Sequence, residues 1–252
     1  MLSKALIKRI SSYKESKYRN QDKVFVVEGV KVVNELLNSC FEIETICALR
    51  QWLDDNSKSI INKTNNIIEV SGDELKKISS FSTPNQVLAV VKTPSPKEVV
   101  FKDKLVIALD QINDPGNLGT IIRIAHWFGI EDIICSENTV DQFNPKTIQS
   151  TMGSLFRVNV SYHNLKSYLQ NLPKDYPIYG AVVENGENIY EKQVQKQGII
   201  IIGSESHGIS NEILPLINNP ITIPNFSINQ KAESLNASIA TGIIVSEFKR
   251  RG

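Results

Sequence analysis

Three polar stretches of this chain carry side chains able to hold and align a small molecule. The first is Asp110-Gln111-Ile112-Asn113-Asp114-Pro115-Gly116-Asn117-Leu118-Gly119-Thr120, running on to Arg123. It follows an apolar run, breaks at a Pro-Gly turn and opens a helical pattern. Ligands of open α/β sheets bind at such carboxyl ends of strands. Arg123 stands among Ile121, Ile122, Ile124 and Ala125. A cation there is either paired inside the fold or held for an anion. The second stretch is Gly203-Ser204-Glu205-Ser206-His207-Gly208-Ile209-Ser210, a polar turn bracketed by glycines after the most apolar run, Gly198–Gly203. The third starts at Ile223-Pro224, crosses a polar loop and reaches Glu233-Ser234-Leu235-Asn236 before the final helical pattern. A polar loop entering a helix N-terminus presents amides, a hydroxyl and a carboxamide to a bound group. The competing assignment for the third stretch is a plain helix cap, with Ser234 as the N-cap residue.

Other chemistries find little support. Ser206 followed by Gly208 resembles half of a hydrolase nucleophile elbow, but Ser204 replaces its first glycine and no histidine follows His207. No Gly-x-Gly-x-x-Gly fingerprint follows the strand before Asp110. Cys40, Cys47 and Cys135, with His126, His163 and His207, are scattered without Cys-x-x-Cys or His-x-x-x-His spacing, so no metal is expected. Sparse, odd cysteines fit a reducing cytoplasm. No apolar segment opens the chain and none is long enough for a membrane span, so a cytoplasmic protein without membrane contact is expected.

The elements that must position these stretches alternate between strand and helix. The chain has 252 residues with 41% hydrophobic content, enough for one large domain or two modest ones. Residues 1–20 read as one basic amphipathic helix with Leu2, Leu6, Ile10 and Tyr13 on one side. Strands are expected at 24–27, 44–49, 67–70 and 87–91, with helices over 30–37 and 71–80; Ser71 and Glu74 have capping-box spacing. Thr93-Pro94-Ser95-Pro96-Lys97 is a stiff polar linker. The expected domains are therefore 1–93 and 99–252, joined by 94–98. In the second, strands are expected at 105–109, 130–135, 156–160, 177–183, 198–203 and 221–223. Helices are expected over 117–128, 144–155, 164–172 and 210–217, and in the final segment, with Leu235, Ile239, Ile243 and Phe248 on one stripe. Gly198–Gly203 is apolar on both faces and belongs centrally in a parallel sheet. Net charge is only +1, so bulk charge does not announce a nucleic-acid partner. The ends are basic, however: Lys4, Lys8, Arg9, Lys14, Lys17 and Arg19 face one acid, Glu15, and the chain closes with Lys249-Arg250-Arg251. Such ends either meet phosphate or form a solvated face.

Taken together, the three stretches resemble the motifs of the SpoU (TrmH-like) RNA 2′-O-ribose methyltransferases of the SPOUT class. Asn113–Gly119 with Arg123 and Phe128-Gly129 resembles the first motif, Gly203-Ser204-Glu205 with Gly208-Ile209-Ser210 the second, and Ile223-Pro224 with Glu233–Ser238 the third. Val24–Val33 is similar, more weakly, to the L30e-like RNA-binding domain of the same family. Two departures stand out: Ser206 follows Glu205 where many members have glycine, and the loop Asn225–Glu233 is longer than in the shortest members.

The resemblance implies an α/β fold whose C-terminal parallel sheet carries a deep trefoil knot, beside a small N-terminal α/β L30e-like domain. It implies S-adenosyl-L-methionine bound by Gly203, Ser204, Glu205, Ile223, Pro224, Leu235 and Asn236. It implies catalytic roles for Arg123, Asn117, Glu205, Ser234 and Asn236, with Arg123 favouring a developing 2′-alkoxide. RNA contacts would come from Arg123, Lys31, Arg19 and Lys17. A homodimer is implied, and ribosomal RNA is preferred to transfer RNA because a separate N-terminal RNA-binding unit is present. The alternative is a catalytically inactive RNA-binding protein of the same fold.

Overall fold

The computed structural model describes residues 2–60, 62–227 and 234–251. Its contacts divide the chain into two units, Met1–Ser95 with Asp141–Arg157, and Pro96–Val140 with Val158–Gly252.

Where one N-terminal helix was expected, two form: α1 (Lys4–Ser12) and α2 (Ser16–Asp22). The break has a local cause. The Tyr13 N–H closes on the Ile10 carbonyl, and the Tyr13 hydroxyl donates to Asp22 at 2.7 Å, folding α2 back. Leu2, Ile10 and Tyr13 are buried, as their shared face requires. The chain continues through β1 (Val24–Glu28), α3 (Val30–Leu37), β2 (Ile43–Ala48), α4 (Arg50–Ile60), β3 (Ile67–Glu69), α5 (Gly72–Ile78) and β4 (Val87–Lys92). The sheet order is β1-β4-β2-β3, with β4 antiparallel to both neighbours and β2 parallel to β3. The capping box forms as spaced: Ser71 accepts from the Glu74 amide and Glu74 accepts from the Ser71 amide. Helix α4 has no counterpart in the sequence reading, because only Trp52 and Ile60 of it are fully buried.

The second unit begins with β5 (Leu105–Asp110), α6 (Pro115–Trp127) and β6 (Asp132–Ser136). After α7 (Pro145–Thr151) come β7 (Asn159–His163), α8 (Leu165–Gln170), β8 (Ile178–Ala181), β9 (Glu187–Asn188), β10 (Gly198–Gly203), β11 (Asn219–Thr222) and α9 (Ala237–Arg251). The seven strands lie in the order β7-β6-β5-β10-β8-β11-β9. Each pairing is parallel. Strand β10 lies between β5 and β8 with Ile199–Ile202 buried, the place its two apolar faces demand. Helix α7 groups with the first unit, although its sequence lies within the second. Phe143 stacks on Phe25 at 4.3 Å and Phe156 meets Phe41 edge-on, which buries aromatic area in the first unit.

Two expectations need correction. Residues 210–217 form turns and a short 3-10 segment, Leu214–Leu216, not an α-helix. Pro215 has no N–H to donate, so an α-helical ladder cannot run through it. The buried stripe of α9 is Ala237, Ser238, Thr241, Ile244, Val245 and Phe248, whereas Leu235 and Ile239 are 48% and 56% exposed. Helix α9 packs on α6, with Gly242 close to Ile124. A Cβ at Gly242 would stand 3.5 Å from Ile124, an ordinary packing contact.

Candidate active site

Because the strands of the second unit run parallel, the loops after β5, β10 and β11 leave at one edge of the sheet. The β5–β10 register sets Asp110 beside Gly203. At Gly203 the backbone folds tightly over itself: a Cβ there would stand 2.1 Å from the Gly208 carbonyl carbon. Ser204 and Gly208 exchange backbone hydrogen bonds of 3.0 and 2.9 Å, and Gly208 turns the chain with φ +65°. This turn holds Glu205 outward.

The loop after β5 becomes α6 through a capped start. Asp114 accepts from the Asn117 amide at 2.8 Å, and Pro115 occupies the first turn, where no N–H is required. Asn117 is thereby held by its backbone, and its side chain spans two other loops. Its Nδ2 donates to Glu205, and its Oδ1 accepts from Asn236 Nδ2 at 2.9 Å. The Asn236 Oδ1 caps α9, accepting from the Ser238 amide at 3.0 Å and the Ser238 hydroxyl at 2.7 Å. The cap of the last helix is thus Asn236, not Ser234, which lies two residues earlier. Residues 228–233, with Glu233 and most of the long loop, lie outside the described residues.

Beside this junction opens a cavity of about 600 Å³. Gly203, Ser204, Glu205, Ile223, Pro224, Ser234 and Leu235 line it. Its remaining wall comes from Ala181–Val183, Ile202, Ile221, Asn225, Phe226, Ala237 and Ile244 among others. The β8 end and Phe226 were not anticipated; the strand order, with β8 between β10 and β11, is what brings the β8 end there.

The SpoU rRNA Methylase family matches residues 104–246, more than half of the chain. The chain belongs to the SpoU rRNA methylase family. A second family, the MRM3-like substrate binding domain, matches residues 4–89. The 23S rRNA (guanosine(2553)-2'-O)-methyltransferase RlmP of Bacillus subtilis is 29% identical over 92% of this chain and 91% of its own length. A solved structure assigned to the TrmH family, from Porphyromonas gingivalis, superposes with TM-score 0.88 at 34% identity and covers 100% of both chains. An rRNA methyltransferase from Sinorhizobium meliloti, solved with AdoMet bound, superposes with TM-score 0.87 at 25% identity, over 99% of this chain and 96% of its own. This SpoU methylase is therefore an RNA methyltransferase that uses S-adenosylmethionine.

The cavity suits that cofactor. Aliphatic walls from Ile202, Ile221, Ile223 and Ile244 fit a flat base and the methylenes of a methionine chain, while the Glu205 carboxylate and Ser234 hydroxyl offer polar partners.

Other candidate residues of the SpoU methylase fall elsewhere. Arg123 is exposed on α6 and is not among the cavity-lining residues. Six residues past Asn117, it lies on a different face of the helix. Among the described residues it makes no hydrogen bond or ion pair, so the internal pairing that its apolar neighbours suggested does not occur. Arg19 requires a correction as an RNA ligand. It is 4% exposed; its guanidinium donates to the Tyr13 and Lys14 carbonyls at 2.8 Å and pairs with Asp141 at 2.5 Å. Its charge is committed within the first unit. Lys17 and Lys31 are exposed. The basic C-terminus is partly committed too: Arg250 and Arg251 both pair with Glu247, and Arg251 also donates to the Lys192 and Tyr190 carbonyls. Ser206 Oγ lies 2.8 Å from His207 Nδ1 on an exposed turn. No further side chain orients that imidazole among the described residues, so no hydrolase triad forms. Among the described residues no group of three or more His, Cys, Asp or Glu could hold a metal ion, and no helix is long and apolar enough to cross a membrane.

Proposed function

We propose that this chain methylates a ribose 2′-hydroxyl of ribosomal RNA, with the cavity beside Asn117 as the cofactor site. The observation that carries the proposal is the junction of three distant loops on one side chain: Asn117 joins Glu205, which lines that cavity, to Asn236. Full-length similarity to a 23S rRNA 2'-O-methyltransferase supports ribosomal over transfer RNA as substrate. The match of residues 4–89 to a substrate-binding domain supports the first unit as the RNA-holding part, with Lys17 and Lys31 as its phosphate contacts. The division at 94–98, a knotted path near the C-terminus and a cytoplasmic setting belong to the same proposal.

When bound, S-adenosylmethionine supplies a methyl group already activated on a sulfonium. Gly203, Ser204, Ile223, Pro224 and Leu235 would hold it through backbone groups and Glu205 through its carboxylate, with Asn236 acting from behind through Asn117. The protein's main contribution is alignment, which converts an encounter into an in-line attack. Asn117 and Ser234 orient the ribose hydroxyl. Arg123 would stabilise the charge that develops on the 2′-oxygen as its proton passes to solvent water. An arginine does not deprotonate in proteins, so it acts as an electrostatic partner and not as the base.

Arg123 lies off the cavity of its own chain, and the reading therefore includes a homodimer that brings it to a partner's site. Exposed apolar surface near it supports this: Trp127, one turn further along α6, is 85% exposed, and Ile239 projects from α9, which packs on α6.

The test is tritium transfer from labelled cofactor into ribosomal and transfer RNA, with wild type and Arg123→Ala. Label should enter ribosomal RNA, with a loss of at least about tenfold in the variant, about 1.4 kcal/mol of barrier. Label in transfer RNA alone would redirect the substrate assignment. Variant activity within about threefold of wild type would remove Arg123 from the mechanism. No cofactor binding by calorimetry at millimolar concentration would favour an inactive RNA-binding protein.

A further inference from the structure

Asp110 is a buried carboxylate with no part in the chemistry above. It ends β5 and is 2% exposed. Among the described residues no cation pairs with it, and a buried charge without a counter-charge is costly unless hydrogen bonds answer it. Its Oδ2 accepts the Ser210 N–H at 2.7 Å. Ser210 lies two residues beyond Gly208, the glycine that closes the turn carrying Glu205. The Ser210 hydroxyl is itself buried without a partner among the described residues. On the other side of Asp110 the chain bends at once: Gln111 has φ +59°, and its N–H donates to Ser136 Oγ at 2.9 Å. Asp110 thus stands where the loop to Asn117 leaves the sheet, and it grips the far end of the loop that carries Glu205.

Resting on the proposed function, we propose that Asp110 is a positioning residue for methyl transfer. By holding the Ser210 amide it fixes the 204–208 turn. That turn sets Glu205 against Asn117 and shapes the Gly203–Ser204 wall of the cofactor cavity. Asp110 touches no reacting atom; it acts through the turn.

The experiment uses the full chain with Asp110→Ala and Asp110→Asn. It compares hydrogen exchange across 198–210, calorimetry with S-adenosylmethionine, and the KM and kcat of transfer. In Asp110→Ala, exchange at 204–210 should accelerate about tenfold while Ile199–Ile202 stay protected, since a hydrogen bond to a charged acceptor is worth about that factor. Cofactor affinity should fall about tenfold and appear in the cofactor KM before kcat. Asp110→Asn keeps an acceptor oxygen of the same shape and should restore affinity to within about threefold. Ser210→Pro deletes the donor and should reproduce the alanine result if Asp110→Ala fails to fold. Unchanged exchange and affinity in the alanine or proline variant would overturn the proposal. So would an asparagine variant as impaired as alanine, or protection lost equally at 199–202. If the wild type binds no S-adenosylmethionine, the functional reading fails, while exchange at 204–210 still judges the clamp.

Discussion

Asn236 uses its two ends for different tasks, and substitution can separate them. Its Oδ1 caps α9, accepting from the Ser238 amide at 3.0 Å and the Ile239 amide at 3.3 Å. Its Nδ2 donates to Asn117 at 2.9 Å. Asn236→Asp keeps the first task and abolishes the second, turning a donor into an oxygen that faces the Asn117 carbonyl near the Glu205 carboxylate. Asn236→Ala abolishes both. An N-cap is worth about 1 kcal/mol, and aspartate at a helix start keeps it with a favourable dipole term. For a chain of this size 1 kcal/mol corresponds to about 2–4 °C in melting temperature. The aspartate variant should therefore melt within about 2 °C of wild type, and the alanine variant about 2–4 °C lower. The transfer reaction should not follow that order. Losing the bond to Asn117 and adding a like charge removes roughly 2–3 kcal/mol of alignment, about a 30-fold to 150-fold loss in rate for the aspartate variant. Thermal denaturation followed by circular dichroism and tritium transfer into ribosomal RNA measure the two effects separately. An aspartate variant with transfer within about threefold of wild type would refute the idea that the Asn117 junction aligns the site.

Three further outcomes follow from packing. Gly203→Ala forces a methyl group to within 2.2 Å of the Ile209 nitrogen, so the turn must open. Stability should fall by about 1–3 kcal/mol and cofactor affinity about tenfold or more, by denaturation and calorimetry; intact affinity would separate the turn from the cavity. Cys40 is exposed, whereas Cys47 and Cys135 are buried, and burial pushes the Cys47 thiol up to about 11 and that of Cys135 higher still. Since the thiolate is the reactive form, a thiol reagent should titrate one fast cysteine in native protein and all three in denaturant; a second fast native thiol would contradict the packing of β2 or β6. Arg19→Ala should destabilise the first unit by about 1–3 kcal/mol, because the Tyr13 and Lys14 carbonyls lose their buried donor and Asp141 its partner. Lys17→Ala should leave melting unchanged and weaken RNA binding in filter assays; the reverse pattern would restore Arg19 as the RNA contact.

Much of this fold is legible in local pattern. Ile199–Ile202 read as a central strand because a run apolar on both faces has no exposed place in a parallel sheet. The failures share a cause: they depend on what an element packs against. Helix α9 buries the small residues Ala237, Ser238 and Thr241 beside Ile244, Val245 and Phe248, so apolarity alone finds only part of its stripe: Phe248 lies inside, Leu235 and Ile239 outside. Glu247 is buried in the same helix because Arg250 and Arg251 neutralise it. Arg19 reads as a phosphate ligand among neighbouring lysines, since its partner Asp141 lies 122 residues further on. The site divides in the same way. Its loops are visible as glycine-bracketed polar turns after strands. The role of Asn117 as their junction is not, because its partners stand 88 and 119 residues away in sequence.

Strand order supplies what spacing withholds. The first three strands of the second unit step outward from β5 through β6 to β7, and the remaining four fill the opposite side, with β10 against β5. The order therefore reverses between β5 and β10, where flanking loops diverge and leave a crevice at the carboxyl ends. Asp110 and Gly203 are paired at that reversal. One loop from each strand must turn away from the other there. The φ of +59° at Gln111 begins one divergence, and the close approach at Gly203 begins the other. Strand β11 reaches the crevice by way of β8, which explains why the Ala181–Val183 backbone joins Ile223 and Pro224 in the same cavity wall. An arrangement of this kind tolerates a long insertion such as 225–233, because added length after β11 leaves the paired ends in place. It does not tolerate a side chain at Gly203, where both the turn and the cavity wall depend on backbone meeting backbone.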